Sequence, residues 1–282
     1  MIFGVIRGIY RDGDPHDPGN PTPYVVAKLN SGGLVRATYA GSPPPPLSTC
    51  VFWSDGGVYY HVLGTYGLDV RPVLREHFLT VPTTTADGAV ACDTPWTLDV
   101  SGASSQVAQA ASSGLGVARL TAGNAVGRSA TLQKTALNIL ASSADGFWMS
   151  ARIQVGSTSD VDLSLGLDGS TEQSVFYSSA STAYWELVSG SATFVPTATV
   201  VATSTYYWAD IVTVPGGFCA LWVSGDGPYV ETVDVVSTSG ELFPYARVIS
   251  NTTATKTFDV DNYFLDAIDG EIVHPTSPLL KA

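Results

Sequence analysis

Residues 147–167, FWMSARIQVGSTSDVDLSLGL, decide the fold class of this chain. Apolar side chains occupy every second position in two runs, and mostly polar residues lie between them. A period of two residues is that of a β-strand with one buried face, because a helix would scatter these side chains around its circumference. The polar residues 156–160 separate the runs, so the pattern predicts an antiparallel hairpin in which Val155 pairs with Val161. A lone hairpin is unstable in water, which predicts a second apolar sheet packed against it.

The composition extends this prediction to all 282 residues. Only 13 % of the residues are charged, against roughly 25 % in an ordinary domain, and the chain is rich in Ser, Thr, Gly and Val. Good helix formers are scarce, and no stretch carries a sustained apolar stripe of helical period. The predicted fold class is therefore all-β, and the larger part is expected to be an antiparallel sandwich.

The net charge of −12 is unevenly distributed. Residues 1–75 carry six basic and five acidic side chains, so residues 76–282 carry seven basic and twenty acidic ones. This acidity argues against nucleic acid and anionic membranes as partners, because phosphate binding requires clusters of Lys and Arg. No run approaches the roughly 18 apolar residues that span a bilayer, and the first apolar run is too short for a signal peptide. We therefore expect synthesis without a signal peptide and no membrane insertion.

The cysteines Cys50, Cys92 and Cys219 are odd in number and widely spaced, without a Cys-x-x-Cys motif. Neither a disulfide framework nor a zinc site is indicated. We interpret them as small buried apolar residues and predict no cofactor.

The chain changes its style of sequence near residues 70–80. Before this point, short strands surround the turn Gly32-Gly33 and the proline run 43–46, which predicts a compact barrel of about five strands. Beyond it, short strands recur with turn signals between them, as in a sandwich. The predicted parts are a barrel over 1–67, a linker over 68–80, a sandwich over 81–270 and an extended tail over 271–282.

Residues 1–67 resemble the small OB-type barrels in tail proteins of phages that infect actinobacteria. The resemblance lies in the Gly-Gly turn, the proline-rich bridge and a final hairpin that closes on Val62-Leu63-Gly64. It implies that the N-terminal part is an OB-like barrel that attaches the protein to a virus particle.

Residues 80–270 are similar to the concanavalin-like (laminin-G-like) jelly-roll modules of phage tail and capsid appendage proteins. The segments that carry this similarity are FWMSAR (147–152), DLSLGL (162–167), YYWAD (206–210) and FDVDNYF (258–264). The similarity implies a jelly-roll sandwich, and none of these segments is a catalytic signature.

Glycoside hydrolases of this fold place two carboxylates across the sugar. Their usual strand motif Glu-x-Asp-x-Glu is absent, and the pairs Asp160/Asp162 and Asp259/Asp261 lack a Glu that could act as the acid. No Gly-x-Ser-x-Gly, Walker or dinucleotide motif occurs either. We therefore predict that the protein is not an enzyme.

Calcium is a weaker hypothesis, based on Asp259, Asp261 and Asp266. The EF-hand pattern fails because Tyr263 and Phe264 occupy positions that require Asn or Asp and Gly. These carboxylates also alternate with apolar residues, as on an exposed strand face, and this interpretation is favoured.

Sugar binding is the ligand function that best fits such a sandwich, because aromatic rings stack on sugars and carboxylates bond hydroxyl groups. The predicted hairpin pairs Gln154 with Asp162 and Trp148 with Asp168 on its polar face, and these four residues are the candidate glycan contacts. Trp148 could instead pack under a neighbouring loop or subunit, and this alternative is favoured because Trp is highly buried on average.

These observations together predict a non-enzymatic structural protein of a phage virion, made in the host cytoplasm. A minor tail (tail-tip) subunit is expected, whose barrel binds other virion proteins and whose sandwich is displayed or packs between copies of a symmetric homo-oligomer. The alternatives are a capsid decoration or head-fibre protein, an adhesin that binds host cell-surface glycan, and a polysaccharide hydrolase.

Overall fold

A computed structural model describes residues 1–13, 21–56, 59–110, 116–135, 137, 139–169, 171–190, 193–232 and 240–275. Within these ranges the chain is all-β, as predicted, with a small closed barrel and a larger antiparallel sandwich. The one helical turn in this part of the chain is a 3-10 turn, Ala141–Ser143. None of the described segments forms a helix that is long and apolar enough to cross a membrane.

The barrel occupies the predicted N-terminal part. Its strand order is β1-β2-β3-β5-β4, closed by antiparallel pairing of β1 with β4 and by a short parallel pairing of β3 with β5. The finer resemblance to OB-type barrels stays a prediction, and residues 14–20 of the predicted proline-rich loop lie outside the described residues. The five strands are β1 (Ile2–Tyr10), β2 (Tyr24–Leu29), β3 (Leu34–Thr38), β4 (Thr49–Ser54) and β5 (Tyr60–Thr65).

The sandwich contains the remaining strands. They are β6 (Leu68–Glu76), β7 (Gly88–Ala91), β8 (Pro95–Ser101), β9 (Gln106–Gln109), β10 (Ala118–Ala122), β11 (Arg128–Gln133), β12 (Ile139–Leu140), β13 (Gly146–Val155), β14 (Val161–Gly169), β15 (Gln173–Ser178), β16 (Tyr184–Ser189), β17 (Thr193–Val200), β18 (Tyr206–Thr213), β19 (Phe218–Val223), β20 (Asp226–Thr232), β21 (Glu241–Ser250) and β22 (Lys256–Gly270).

These strands form two sheets. One has the order β20-β19-β18-β13-β22-β10-β9, with β6 added beside β22, and we call it the covered sheet because the barrel packs on its outer face. The other has the order β17-β16-β15-β14-β21-β11-β8-β7, with β12 beside β21, and we call it the open sheet.

The two sheets enclose the main core, to which β13 and β14 contribute as their alternation predicted. Phe147, Met149 and Ile153 of β13 are fully buried in the same cluster as Leu163 and Leu165 of β14. Burying an aliphatic or aromatic side chain of this size contributes about 1.5–3 kcal/mol to stability. The alternating pattern therefore identified the core face correctly.

The predicted hairpin is wrong. β13 pairs with β18 and β22 in the covered sheet, whereas β14 pairs with β15 and β21 in the open sheet. Residues 156–160 cross from one sheet to the other, and Asp160 adopts a left-handed backbone conformation with φ 51°. Packed sheets lie about 10 Å apart, a distance that five residues span easily. Alternation specifies which side chains face the core but not which strand pairs with which.

The barrel rests on the outer face of the covered sheet through a second apolar cluster. Trp148, Val212 and Trp222 of the sheet are buried in this cluster with Val5 and Ile9 of the barrel. The indole N–H of Trp222 also donates a hydrogen bond to the backbone carbonyl of barrel residue 7. Barrel and sandwich therefore share an apolar interface.

Residues 68–76, within the predicted linker over 68–80, form strand β6, which pairs with β22 in the covered sheet. Its two arginines point outward, and Arg71 pairs with Asp269 at 2.9 Å. Its last residue, Glu76, is fully buried and accepts a hydrogen bond of 2.8 Å from the indole N–H of Trp96. Arg71 and Arg75 are partners of Asp269 and Asp266 on β22, and sequence alone does not show this pairing.

The C-terminal tail is described only as far as residue 275, and residues 276–282 lie outside the described residues. The amide of Val273 donates a hydrogen bond of 3.1 Å to the carbonyl of Leu47 in the barrel. All three cysteines are free; Cys50 and Cys219 are fully buried and Cys92 is half-buried. Burial raises the pKa of the Cys50 thiol to about 11.

Candidate functional site

The outer face of the open sheet is built by the positions that alternate with the core. On β14, Leu163 and Leu165 point inward, so Ser164 between them points outward. Its cross-strand partners are Phe176 of β15 and Arg247 of β21. Cross-strand partners project to the same side of a sheet. An aromatic ring, a hydroxyl group and a guanidinium therefore lie side by side on this face.

A groove of about 380 Å³ lies at one end of the face. This volume falls within the range of about 300–1,000 Å³ typical of ligand sites. The groove is lined by side chains of β14–β17 and β21 and of the β14–β15 turn. Its lining includes Asp168, Glu172, Phe176, Val188, Phe194 and Arg247. We call this site the open-sheet groove.

Two phenylalanines form the apolar part of the open-sheet groove. The ring centroids of Phe176 and Phe194 are 5.5 Å apart and the rings are tilted by 54°. Phe194 is 50 % exposed, although it is a large apolar side chain. Both stand on the outward side of their strands, where packing between the sheets does not use them. They are available to stack against a ligand.

Two neighbouring hydroxyl groups hold the side chain of Glu172 in the groove. Its carboxylate accepts hydrogen bonds from the hydroxyl groups of Tyr245 and of Ser174, the latter at 2.8 Å. Burial, together with the nearby Glu172 charge, raises the pKa of Tyr245 well above its ordinary value. Tyr245 therefore stays protonated at neutral pH, and the hydrogen bond that its hydroxyl group donates orients the Glu172 carboxylate.

Asp168 and Arg247 complete the polar set. Asp168 accepts hydrogen bonds from the amide of Gly169 at 2.9 Å and from the side chain of Gln133 at 3.5 Å. The Nε of Arg247 donates to Ser164 at 3.2 Å, and another guanidinium nitrogen lies 4.0 Å from the Glu172 carboxylate. The groove therefore presents both acceptors and a donor beside an aromatic surface, which suits a ring that carries hydroxyl groups.

The four residues predicted to contact glycan do not form one site. Trp148 and Gln154 lie on β13 in the covered sheet, whereas Asp162 and Asp168 lie on β14 in the open sheet. The pairing that would have joined them, across a 147–167 hairpin, does not exist. Asp168 lines the open-sheet groove, and Asp162 instead accepts a hydrogen bond of 2.6 Å from Ser178.

Trp148 is only 6 % exposed, because the barrel covers it. Its indole N–H donates to Asp210 at 3.0 Å. Asp210 also forms an ion pair of 2.7 Å with barrel residue Arg11, whose guanidinium lies over the Trp208 ring at 4.4 Å from the centroid. Trp148 is thus buried beneath a neighbouring part of the chain, as the favoured alternative expected, and no sugar can stack on it here.

Each of the calcium candidates binds an arginine. Asp259 pairs with Arg119 at 2.6 Å, Asp261 pairs with Arg152 at 2.6 Å, and Asp266 pairs with Arg75. Burial raises the pKa of Asp266, and the arginine opposes this shift. In the described part of the chain, no group of three or more His, Cys, Asp or Glu side chains is arranged to hold a metal ion. The calcium hypothesis therefore gains no support.

A second cavity, of about 360 Å³, lies where the barrel meets the covered sheet. Trp148, Asp266 and Arg75 line it from the sandwich, and the proline run and Leu63 line it from the barrel. Its charged groups are already paired with each other, so it offers a ligand less than the open-sheet groove does.

Sequence reasoning missed Glu172, Phe176, Phe194 and Arg247. They come from three separate places in the chain, and only the sheet order β17-β16-β15-β14-β21 brings them together. One signal was available, because an aromatic residue at a polar-face position of a strand, such as Phe176 between Val175 and Tyr177, is unusual unless something covers it or binds to it.

No protein-family model and no curated protein matches this sequence. Among solved structures, a sialidase matches with a TM-score of 0.50 at 10 % identity over 89 % of this chain. This chain spans only 21 % of the length of that sialidase chain.

Two further solved structures match with lower TM-scores, and each match covers almost all of the other protein's chain. The CBM2 module of the evolved Dit protein of Lactobacillus casei BL23 phage J-1 has a TM-score of 0.46 at 16 % identity, covering 73 % of this chain and 99 % of that one. A glycosyl hydrolase family 16 protein of Mycobacterium smegmatis has a TM-score of 0.48 at 10 % identity, covering 69 % of this chain and 99 % of that one. At such identities the likeness concerns the fold alone.

Proposed function

We propose that this chain is a non-enzymatic structural protein of a phage virion, most specifically a minor tail (tail-tip) subunit, whose sandwich binds glycan through the open-sheet groove. One observation carries the glycan part of the proposal. The barrel occupies the outer face of the covered sheet, while the opposite face keeps a groove with an exposed aromatic platform, two carboxylates and an arginine. The barrel can therefore hold the protein to its neighbours without obstructing the groove.

The test of glycan binding is a change at the platform. Phe194→Ala removes a half-exposed ring that contributes little to the core, so we expect about tenfold weaker binding to host cell-wall polysaccharide with the fold intact. Binding is measured on immobilised polysaccharide. Trp53→Ala is the matched control, because Trp53 is an aromatic residue of similar exposure, 51 %, on the barrel. Equal binding by wild type and Phe194→Ala would remove the groove from this role.

The attachment role is supported by the outer surface of the barrel. Trp53, Tyr59, Leu63 and Tyr66 are each more than half exposed, and they belong to β4, β5 and the segments next to β5. Exposed apolar side chains of this density mark surfaces that bind other proteins. We propose that this surface contacts other virion proteins.

Incorporation into particles tests the attachment role. We expect the double variant Trp53→Ala/Tyr66→Ala to be depleted from purified virions while it retains glycan binding, and Phe194→Ala to show the reverse. Quantitative mass spectrometry of particles measures both. Normal incorporation of the double variant would contradict attachment through this surface.

The position in the particle is tested by cryo-EM of intact virions. Copies ringed at the tail tip, with the barrel inward, would support the tail subunit and a symmetric homo-oligomer. Copies spread over the capsid lattice would support the alternative of a decoration or head-fibre protein. Absence from every particle would reject the virion proposal.

A polysaccharide hydrolase is the second candidate, and one observation favours it. Asp168 and Glu172 flank the short β14–β15 turn and line the same groove, as two catalytic carboxylates would. We favour binding because both carboxylates accept hydrogen bonds from neighbouring donors, whereas a general acid must donate a proton. Release of reducing ends from wall polysaccharide by wild type, abolished in Glu172→Gln, would establish the hydrolase instead.

A further inference from the structure

Glu186 is a largely buried acidic residue beside the open-sheet groove. It stands on the outward side of β16, cross-strand from Phe176 and two residues before Val188, and both of these residues line the groove. Its exposure is only 9 %. Across the described ranges, no side chain or backbone group forms a hydrogen bond or an ion pair with the Glu186 carboxylate.

This arrangement lowers the stability of the folded chain when no ligand is bound. A carboxylate that is partly desolvated without gaining a partner in the protein destabilises the folded chain, and this partial burial raises the pKa of Glu186. The residues that face it are Phe176 and its outward neighbours Ser174 and Ser178 on β15, and Pro196 on β17. None of them carries a charge or titrates. A cation from outside the chain would supply the missing partner.

The charges of the groove agree with this requirement. Asp168 and Glu172 line the groove and Glu186 lies beside it, cross-strand from Phe176, so three carboxylates stand against the single guanidinium of Arg247. Arg247 is directed at Ser164 and lies close to Glu172, so its charge is largely used within the protein. An anionic sugar would meet net repulsion here, whereas an amine-bearing sugar would meet attraction.

We propose that the ligand of the open-sheet groove is a glycan with free amino groups, such as hexosamine units without their N-acetyl group, whose ammonium pairs with Glu186 while the sugar ring packs on Phe176 and Phe194. This inference rests on the proposed glycan-binding function and adds the chemical class of the sugar. It assigns a role to a carboxylate that the fold buries and does not use.

The test compares three tetrasaccharides, those of glucosamine, N-acetylglucosamine and glucose, by calorimetric titration of the full chain. Wild type is expected to bind the glucosamine tetramer about tenfold more tightly than the glucose tetramer, as for one charge-assisted hydrogen bond. Glu186→Gln keeps the size of the side chain and is expected to lose this preference. Asp99→Asn, which removes an exposed charge from the same sheet but outside the groove, is expected to retain it and so controls for non-specific attraction to an acidic protein.

Equal affinity for the glucose and glucosamine tetramers, or a preference that survives in Glu186→Gln, would overturn the inference and leave glycan binding intact. A failure to bind any of the three tetrasaccharides would also overturn it. The proposed function itself is decided separately, by the wall-polysaccharide assay of Phe194→Ala.

Discussion

The two outer faces of the sandwich carry similar residues, but the barrel covers one face and leaves the other open. The covered face places Trp148 and Trp208 beside the carboxylate of Asp210, and the barrel inserts Arg11 among them. The open face places Phe176 and Phe194 beside carboxylates, and no part of the described chain covers them. Aromatic rings beside carboxylates therefore do not by themselves identify a ligand site. What decides is whether the same chain already fills the face.

Removing the carboxylate of Asp210, which pairs with Arg11 on the covered face, should have the largest effect on the free energy of unfolding. Asp210 is fully buried, and Asp210→Ala leaves the mostly buried guanidinium without its partner. We expect the free energy of unfolding to fall by about 3–5 kcal/mol. Denaturant unfolding measures it, with Arg71→Ala as the control, because the Arg71–Asp269 pair is exposed and is worth about 1 kcal/mol or less. Equal losses in the two variants would show that the buried pair does not hold the barrel in place.

A smaller effect is expected where the two parts approach most closely. A methyl group on Gly8 of β1 would lie 2.7 Å from the carbonyl oxygen of Gly225 in the β19–β20 turn, so Gly8→Ala must push the barrel away from the sheet. We expect a loss of about 1–3 kcal/mol, by thermal unfolding. Gly64→Ala on β5 is the control, because its added methyl meets nothing within 4 Å. An unchanged Gly8→Ala would show that the interface yields at little cost.

The smallest effect on stability is expected at Glu186 of the open sheet. Burial raises the pKa of Glu186 in the folded state, so this group destabilises the fold as pH rises from the unfolded pKa through the folded one. Glu186→Gln should therefore be slightly more stable than wild type at neutral pH, and the difference should vanish at acidic pH, where the unfolded Glu is also protonated. Melting temperatures across pH measure it, with exposed Glu241→Gln as the control. A variant less stable than wild type at neutral pH would show that Glu186 has a stabilising partner.

The groove itself illustrates the limit of sequence reasoning. The sequence predicts Asp168 as a candidate only through a hairpin that would place it opposite Trp148, and it does not predict Glu172 or Phe194. Their joint position depends on β14–β17 lying side by side in one sheet, and no local pattern encodes that order. Local pattern could not decide whether Trp148 is a glycan contact or packed for the same reason, since its cover comes from a barrel much earlier in the chain.

The sequence by itself determined the all-β class, the N-terminal barrel, and the inward faces of β13 and β14, because a period of two residues and the scarcity of helix formers depend only on local chemistry. Only the tertiary structure decided that residues 147–155 and 161–169 lie in different sheets, that residues 68–76 are a strand, and that the barrel covers one outer face. The physical reason is that alternation specifies how a strand divides its side chains between core and surface. Which strand lies next to it, and what covers its outer side, depend on contacts between segments distant in sequence.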